Sequence, residues 1–338
     1  MRQVSPLIWL LSLLLAACLV LAVAVVPAGA GGGKTPPLDR VSVQLVWVHQ
    51  AQFAGFYMAQ DQGIYRRYRL KVKIKPGGPG IVPLKNLRMG GCDFAVSWLS
   101  SAMVDKSRGA PLVNLAQLVR RSALLLVAFK GKGIEKVKDL DGRKVGMWGG
   151  QFSLAPRALF RRLGIHVQEV LQNVSVSPFL AGAVSAAAAM RYNEYHQLYQ
   201  AGVDPEDLVV FDLSRLGVNF PEDGIYTTQR FWEMAPGVCR RFVRATLEGW
   251  RAAFAQPEEA LESVMRRVEA ARLATNRSHQ RWMLGVMREI IAGGAPGEMG
   301  RLSARDFALV NRVLMEEGII GTPVAMRGFA VPAWRSEP

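Results

Sequence analysis

The sequence contains few of the residues that ligate metals or form disulfide bonds, with 3 cysteines and 4 histidines among 338 residues. Cys18 lies in the N-terminal segment, whereas Cys92 and Cys239 are far apart and each lies among apolar residues. This placement predicts two buried thiols, with a disulfide bond between them as the alternative. The histidines are dispersed and show no metal-ligand spacing. We therefore expect no zinc, no haem and no other cofactor.

The chain also lacks a block of basic residues interleaved with aromatic ones, the pattern typical of nucleic-acid grooves. Its net charge of +15 comes from 42 lysines and arginines against 27 acidic residues, scattered along the sequence. Scattered charge predicts a solvated basic surface, with a polyanion-binding face as the alternative. We expect no nucleic-acid partner, although a positive field would favour anionic ligands or anionic lipid headgroups.

Residues 1–30 form a separate segment whose apolar run, from Leu7 to Val26, is interrupted at Ser12. The segment ends in small residues before Gly31, a pattern that suits signal peptidase cleavage after Ala30. Two alternatives stay open: lipidation of Cys18, which follows a lipobox-like Leu-Ala-Ala, or an uncleaved membrane anchor. All three predict that residues 34–338 lie in the periplasm or otherwise outside the cytoplasmic membrane.

Strand-like and helix-like stretches alternate from residue 41 onward, which predicts an α/β protein with mainly parallel sheets. Leu70, Val72 and Ile74 alternate with lysines, as in a strand with one exposed face. The strand-then-helix pattern begins again near residue 145, and the chain is helical from Pro236. A length of 338 residues is too great for one core, so we expect two lobes.

Tryptophans and polar residues recur at positions where a predicted strand ends and the next helix begins. The stretches are 47–52, 97–98 and 148–151. In open α/β sheets, ligands bind beyond the carboxyl ends of the strands, near helix N-termini. Each aromatic taken singly is most simply explained by packing. Their repetition at equivalent positions predicts a ligand cleft between two lobes.

Several segments resemble periplasmic substrate-binding proteins for thiamine-pyrimidine precursors, a family grouped with the alkanesulfonate and taurine binders (SsuA/ThiY-like). His49 stands where that family usually has asparagine. The segments that carry the resemblance are WVHQAQFAGFY at 47–57, GIY at 63–65, DFAVS at 93–97, GAP at 109–111, VKDLDGRKVG at 137–146, YNEYHQL at 192–198 and NFPEDGIY at 219–226.

The resemblance implies a two-lobed periplasmic-binding-protein fold of type II. Residues 34–125 plus 226–338 would form the first lobe with the C-terminal helices, and residues 126–225 the second. It also implies a monomer that delivers a small heteroaromatic ligand to an ABC permease at the cytoplasmic membrane, as in transport for thiamine biosynthesis. Crossovers between the lobes are expected near residues 120–128 and 212–226.

Carried over to this sequence, the resemblance nominates stacking walls and hydrogen-bonding partners for a pyrimidine ring. The walls are Trp47, Phe53, Trp98 and Trp148. The partners are Asn193 and Glu194, with Asn219 and Glu222 near a crossover. Residues at the strand ends complete the candidate site: His49, Gln52, Ser97, Gly149 and Gly150. Glu194 would accept a hydrogen bond from an amino group or a protonated ring nitrogen, a salt bridge to an arginine being the alternative.

Four other functions stay open. The resembled family includes a fungal thiamine-pyrimidine synthase, but its cofactor-holding lysine and sacrificial histidine would fall at Ser97 and Ser101, and its cysteine run at a segment without cysteine. Serine has no amine for a Schiff base, so we expect no enzyme. An alkanesulfonate, taurine or nitrate carrier, a riboflavin carrier and an extracytoplasmic sensor module are the further alternatives.

Overall fold

The computed structural model describes residues 37–293 and 297–333. The described residues from Leu38 onward belong to one compact unit. The N-terminal segment with Cys18 lies outside these ranges, so the expected leader or anchor stays a prediction. None of the helices in the described ranges is long and apolar enough to cross a bilayer.

The strands of the described chain form two five-stranded sheets. In chain order they are β1 (Asp39–Gln44), β2 (Leu70–Lys75), β3 (Phe94–Trp98), β4 (Leu112–Gln117), β5 (Leu124–Phe129), β6 (Lys144–Met147), β7 (Gln168–Leu171), β8 (Ala186–Met190), β9 (Leu208–Asp212) and β10 (Asp223–Thr228). The first sheet has the order β2-β1-β3-β10-β4, and the second has the order β7-β6-β8-β5-β9.

Each sheet has one reversed strand in the same place. β10 runs antiparallel to β3 and β4, and β5 runs antiparallel to β8 and β9. The remaining pairings, of β1 with β2 and β3 and of β6 with β7 and β8, are parallel. The reversed strand is in each case the first one after the chain has crossed from the other sheet. The expectation of an α/β fold with mainly parallel sheets is confirmed.

The helices cover both sheets and continue into a C-terminal layer. They are α1 (Ala54–Asp61), α2 (Ile64–Arg67), α3 (Pro83–Arg88), α4 (Leu99–Ser107), α5 (Leu154–Leu163), α6 (Ser177–Leu180), α7 (Glu194–Gln200), α8 (Gln229–Met234), α9 (Pro236–Ala255), α10 (Pro257–Ala270), α11 (Arg277–Ala292) and α12 (Ala304–Glu316). Short 3-10 turns at Ala51–Phe53 and Gly150–Ser153 precede α1 and α5 at equivalent positions of the two sheets.

The C-terminal layer is fixed to the first sheet by a close crossing of α9 over α1. A Cβ added at Gly249 would lie 2.2 Å from the carbonyl oxygen of Gly55, and one added at Gly55 would lie 2.3 Å from the Trp250 ring. The Trp250 side chain is fully buried in this crossing. The two glycines therefore let the helix backbones approach each other, and the indole fills the remaining space.

Candidate functional site

A cleft of ≈ 330 Å³ lies between the loops at the carboxyl ends of the strands of both sheets. Parallel strands bring their carboxyl ends to one edge of a sheet, so loops distant in sequence converge there. From the first half of the chain the lining residues are Val46, Trp47, Gln50, Gln52 and Trp98. From the second half they are Trp148, Gly149, Phe152, Gln172, Val174, Met190, Tyr192, Asn193 and Glu194.

Aromatic rings form the walls of the cleft. Trp98 is buried, while Trp47 and Trp148 are half-buried, so each indole combines packing with a surface open to the cleft. The rings of Trp98 and Phe152 meet edge to face, with centroids 4.6 Å apart. The indole Nε1–H of Trp148 donates to the carbonyl oxygen of Asn173 at 3.0 Å, which fixes the plane of that ring. These surfaces can stack on a flat ligand.

Glu194 supplies a buried carboxyl group to the cleft, with 4% of the residue exposed. Its Oε2 accepts the backbone N–H of Met190 at 3.0 Å, and its Oε1 accepts the Nδ2–H of Asn193 at 2.7 Å. Burial raises the pKa of Glu194 to about 7, an effect that these hydrogen bonds oppose. The carboxyl group can therefore bind or release a proton near neutral pH. In its ionised form it can accept a hydrogen bond from an amino group or a protonated ring nitrogen.

Further buried polar groups lie in the cleft lining and next to it. Gln50 Nε2–H donates to Gln52 Oε1 at 2.5 Å, and Gln52 Nε2–H donates to Asp223 Oδ2 at 2.7 Å. Burial is the largest cause of a raised pKa at Tyr192, and the charges of Glu222, Asp223 and Glu194 raise it further. Three carboxyl groups are thus close enough to this phenol to raise its pKa. Asp223 and Tyr192 were not among the residues nominated from the sequence.

Asn219 and Glu222 connect the two chain segments that pass between the sheets. Asn219 Oδ1 accepts the N–H of Ser122 at 2.8 Å, and its Nδ2–H donates to the carbonyl oxygen of Arg120 at 2.9 Å. Glu222 Oε1 accepts the hydroxyl of Ser122 at 2.8 Å and the N–H of Ala123 at 2.6 Å. Neither residue lines the cleft. Their polar groups instead hold the crossing segments together.

The buried carboxyl of Glu222 makes the stability of the fold depend on pH. Its pKa is raised above the ordinary value of 4.5 because of burial and the neighbouring Asp223 charge. The stability that this group contributes is therefore complete below about pH 4.5 and is lost as the pH rises through the raised value of the folded chain. Glu222→Gln, which removes the charge, is expected to raise the free energy of unfolding by about 1–2 kcal/mol at about pH 8.

Urea unfolding at two pH values measures this effect. The gain from Glu222→Gln should disappear at about pH 4, where both the folded and the unfolded protein carry the proton. Glu206→Gln, in an exposed turn, is the matched control and should change little at either pH. A destabilising effect of Glu222→Gln at high pH would show that the carboxylate is ionised and needed in the folded chain.

The other residues nominated from the sequence divide into those that line the cleft and those that do not. Trp47, Gln52, Trp98, Trp148, Gly149, Asn193 and Glu194 line the cleft. His49, Phe53, Ser97 and Gly150 do not. His49 Nδ1 is 2.8 Å from the hydroxyl of Tyr57, and Phe53 is fully buried in the core. The lining residues that were not nominated from the sequence are Val46, Gln50, Phe152, Gln172, Val174, Met190 and Tyr192. Gln50 lies within the strand-end stretch 47–52, and Phe152 directly follows the stretch 148–151.

A second cavity of ≈ 470 Å³ adjoins the cleft and shares Trp47, Gln50, Val174 and Asn193 with it. Its far side is formed by the start of α11 and the loop before it, including His279 and Gln280. No cluster of three or more His, Cys, Asp or Glu side chains that could hold a metal is found in the part of the chain that the structure describes.

The sequence signature of the family described as NMT1/THI5 like matches residues 50–260. The chain is 24% identical over 281 residues to the riboflavin-binding protein RibY of Chloroflexus aurantiacus, covering 80% of this chain and 76% of that protein. It is 24% identical over 237 residues to the formylaminopyrimidine-binding protein of Halalkalibacterium halodurans, covering 68% and 70%.

A shorter match is to an enzyme. The chain is 29% identical over 112 residues to the 4-amino-5-hydroxymethyl-2-methylpyrimidine phosphate synthase of Schizosaccharomyces pombe, covering 33% of this chain and 32% of the enzyme. Among solved structures, the periplasmic aliphatic sulphonate binding protein SsuA of Escherichia coli superposes with a TM-score of 0.67 at 16% identity, covering 87% of this chain and 97% of SsuA. The periplasmic-binding-protein fold is thereby confirmed.

Proposed function

The chain belongs to the NMT1/THI5-like family, and on that premise we propose that it captures a small heteroaromatic compound outside the cytoplasm and delivers it to an ABC importer. The observation that carries this proposal is the cleft, which is lined by three indoles and by Glu194 with its buried carboxyl group. Two relatives that match most of this chain are named as binding proteins for heteroaromatic compounds, a flavin and a pyrimidine.

Stacking and one directional hydrogen bond would account for recognition. A planar ring against an indole gains about 0.5–1.5 kcal/mol beyond the burial of its area. The carboxyl of Glu194 would accept a hydrogen bond from an exocyclic amine or a protonated ring nitrogen, and in a dry site such a bond discriminates against rings without that donor. A precursor of the thiamine pyrimidine, of the formylaminopyrimidine or hydroxymethylpyrimidine type, offers both features.

Closure of two lobes around the ligand would complete the mechanism. We propose residues 34–125 with 226–338 as one lobe and 126–225 as the other, moving about the crossing segments that Asn219 and Glu222 hold together. Contacts between residues of the two proposed lobes support such closure. Trp98 meets Phe152, the Ser101 hydroxyl donates to Gln151 Oε1, and Arg161 pairs with Glu316 at 2.6 Å.

The alternatives differ in what they require of the cleft. A sulfonate, taurine or nitrate carrier would place an anion beside Glu194, which is unfavourable while that group is ionised. A riboflavin carrier keeps the stacking walls and is the second candidate, favoured by the match to RibY over 80% of this chain. A synthase is disfavoured because Ser97 and Ser101 replace the lysine and histidine that the enzyme uses.

Calorimetric titration with a panel of compounds tests the proposal. We expect saturable binding of formylaminopyrimidine, 4-amino-5-hydroxymethyl-2-methylpyrimidine or riboflavin, and none of taurine or an alkanesulfonate. Trp47→Ala is expected to weaken the binding of the tightest compound by about 1 kcal/mol or more, because one stacking wall is lost. Binding of a sulfonate alone would reject the proposal.

Trp232→Ala is the matched control for the stacking wall. Trp232 is half-buried like Trp47, but it lies in α8 and does not line the cleft. Its replacement should leave the ligand affinity within about twofold of wild type. The corresponding change in binding free energy is smaller than the contribution of one stacking contact. Equal losses for the two variants would mean that Trp47 acts through stability rather than through contact with the ligand.

A further inference from the structure

A continuous chain of hydrogen bonds joins Glu194 to the C-terminal helix α11. Asn193 Nδ2–H donates to Glu194 Oε1 at 2.7 Å, and Asn193 Oδ1 lies 3.0 Å from Nε2 of His279. Nδ1 of His279 lies 2.9 Å from Nδ1 of His196. Asn193 Oδ1 also accepts the Nε2–H of Gln197 at 3.2 Å. The side-chain oxygen of Asn193 is therefore used twice within the protein, and its NH₂ group donates one hydrogen bond to Glu194.

The chemistry of the groups fixes the direction of each hydrogen bond. The ionised carboxylate of Glu194 only accepts, so Asn193 must present its NH₂ to it and its oxygen to the other side. That oxygen also only accepts, so Nε2 of His279 carries the hydrogen. In a neutral imidazole the other nitrogen is then an acceptor, so the hydrogen between the two rings belongs to Nδ1 of His196. Both rings have one permitted tautomer in this arrangement.

The chain of hydrogen bonds connects parts of the protein that belong to opposite sides of the cleft. Glu194, Asn193 and His196 follow β8 of the second sheet. His279 belongs to α11, whose Gln280 Oε1 accepts the N–H of Ala51 at 2.7 Å, in the turn after β1. The ring of His196 also stacks on Trp282 of α11, with centroids 4.8 Å apart. These contacts connect α11 to the segment that carries Glu194.

We propose that His279 is a positioning residue for ligand binding: with His196 it holds Asn193, and through Asn193 it aims the carboxyl of Glu194 into the cleft. This inference rests on the proposed function of the cleft. Asn193, nominated from the sequence as a ligand contact, lines the cleft and also donates to Glu194. His279, which carries no sequence motif, becomes part of the binding machinery from a distance of 86 residues along the chain.

The arrangement requires a neutral His279. A proton on its Nδ1 would leave two donors facing each other between the rings, unless His196 moves its hydrogen from Nδ1 to Nε2. In either case the arrangement described above is lost. The pKa of His279 is lowered to about 4 by burial and by the neighbouring His196, so the ring stays neutral over most of the pH range. The other titratable or charged groups that share a cavity, ring contact or hydrogen-bonded partner with the pair are His49, Arg191, Glu194, Tyr199, Arg281 and Glu289.

Glutamine at position 279 is the conservative variant. Its amide can donate to Asn193 and accept from His196, as the neutral ring does, but it cannot take up a proton in this pH range. The wild-type protein, His279→Gln and His279→Ala are titrated calorimetrically with 4-amino-5-hydroxymethyl-2-methylpyrimidine at about pH 8, where Glu194 is mostly ionised. Glu289→Gln is the control, because it removes the Arg191–Glu289 ion pair between the same parts of the chain and leaves the hydrogen-bonded chain intact.

At this pH, His279→Ala is expected to weaken binding about tenfold, whereas His279→Gln and Glu289→Gln stay within about threefold of wild type. Wild-type affinity in His279→Ala, or a loss in His279→Gln as large as that in His279→Ala, would overturn the proposal.

NMR spectroscopy that resolves the ring nitrogens of the histidines tests the positions of the hydrogens on His279 and His196 without ligand. In the ligand-free wild-type protein at about pH 8, where Glu194 is mostly ionised, His279 should carry its hydrogen on Nε2 and His196 on Nδ1. A hydrogen on Nδ1 of His279 would overturn the proposed positioning. If the probe does not bind the wild-type protein but the two tautomers are as expected, the proposed ligand class fails and the positioning of Glu194 stands.

Discussion

Replacing Glu194 by glutamine is expected to weaken the binding of 4-amino-5-hydroxymethyl-2-methylpyrimidine by about 10–100-fold, because a hydrogen bond to a charged group contributes about 1.5–3 kcal/mol. The effect should be large for a second reason. An amide at position 194 presents one NH₂ group, which must face either the N–H of Met190 or the NH₂ of Asn193, both of which donate to Glu194 in the folded chain. Calorimetry at about pH 8, where the carboxyl is mostly ionised, measures the loss.

Glu222→Gln is the matched control for this experiment. Glu222 is also a buried carboxyl close to Tyr192, but it contacts the crossing segments and does not line the cleft. The affinity of the Glu222→Gln variant for the pyrimidine should stay within about threefold of wild type, a change of less than about 1 kcal/mol. Equal losses in the two variants would assign the effect to the buried charge cluster as a whole. No loss in Glu194→Gln would remove the hydrogen-bonding partner from the proposed recognition.

Gly249→Ala is expected to lower the free energy of unfolding by about 2–3 kcal/mol, the effect of forcing an extra carbon into a tightly packed helix crossing. The added Cβ would lie 2.2 Å from the carbonyl oxygen of Gly55 and 2.6 Å from the Cβ of Ala59. Both neighbours belong to the backbone or its first carbon, so neither can rotate away. The helices must separate, and the packing of Trp250 between them is lost.

Gly285→Ala serves as the control for that substitution. Gly285 is also a helical glycine, in α11, but it is exposed and a Cβ there would meet nothing within 4 Å. Alanine should stabilise this helix by about 0.5–1 kcal/mol because it lowers the conformational entropy of the unfolded chain. Guanidinium unfolding of the two variants compares them. Equal stability of Gly249→Ala and wild type would show that α9 and α1 do not cross as closely as described.

The fold could be predicted wherever one face of an element is solvated. The alternation of Leu70 and Val72 with Lys71 and Lys73 predicts β2, because its apolar side chains are buried and its lysines are exposed. Nothing in the periodicity indicates β8, whose five residues AAAAM are all buried in the middle of the second sheet. Alanine favours a helix where tertiary contacts do not determine the secondary structure. Here the hydrogen-bonded pairing with β5 and β6 makes the segment a strand.

The candidate site could be predicted as a set of strand ends, but not as a set of side chains. Ser97 and Trp98 are adjacent in β3, and successive side chains of a strand point to opposite faces, so only the indole reaches the cleft. The contacts of His279 and Asp223 with site residues depend on chain segments that folding brings together over long separations. Periodicity and local motifs carry no information about such contacts.

The crystal structure of the protein bound to the tightest ligand of the calorimetric panel tests the central claim most directly. We expect a flat ring stacked against at least one of Trp47, Trp98 and Trp148, with a ring nitrogen or amine within hydrogen-bonding distance of the Glu194 carboxyl. A ligand bound outside the cleft, or a ring inside it that contacts none of these indoles and leaves Glu194 bonded to Met190 and Asn193 alone, would contradict the proposed recognition.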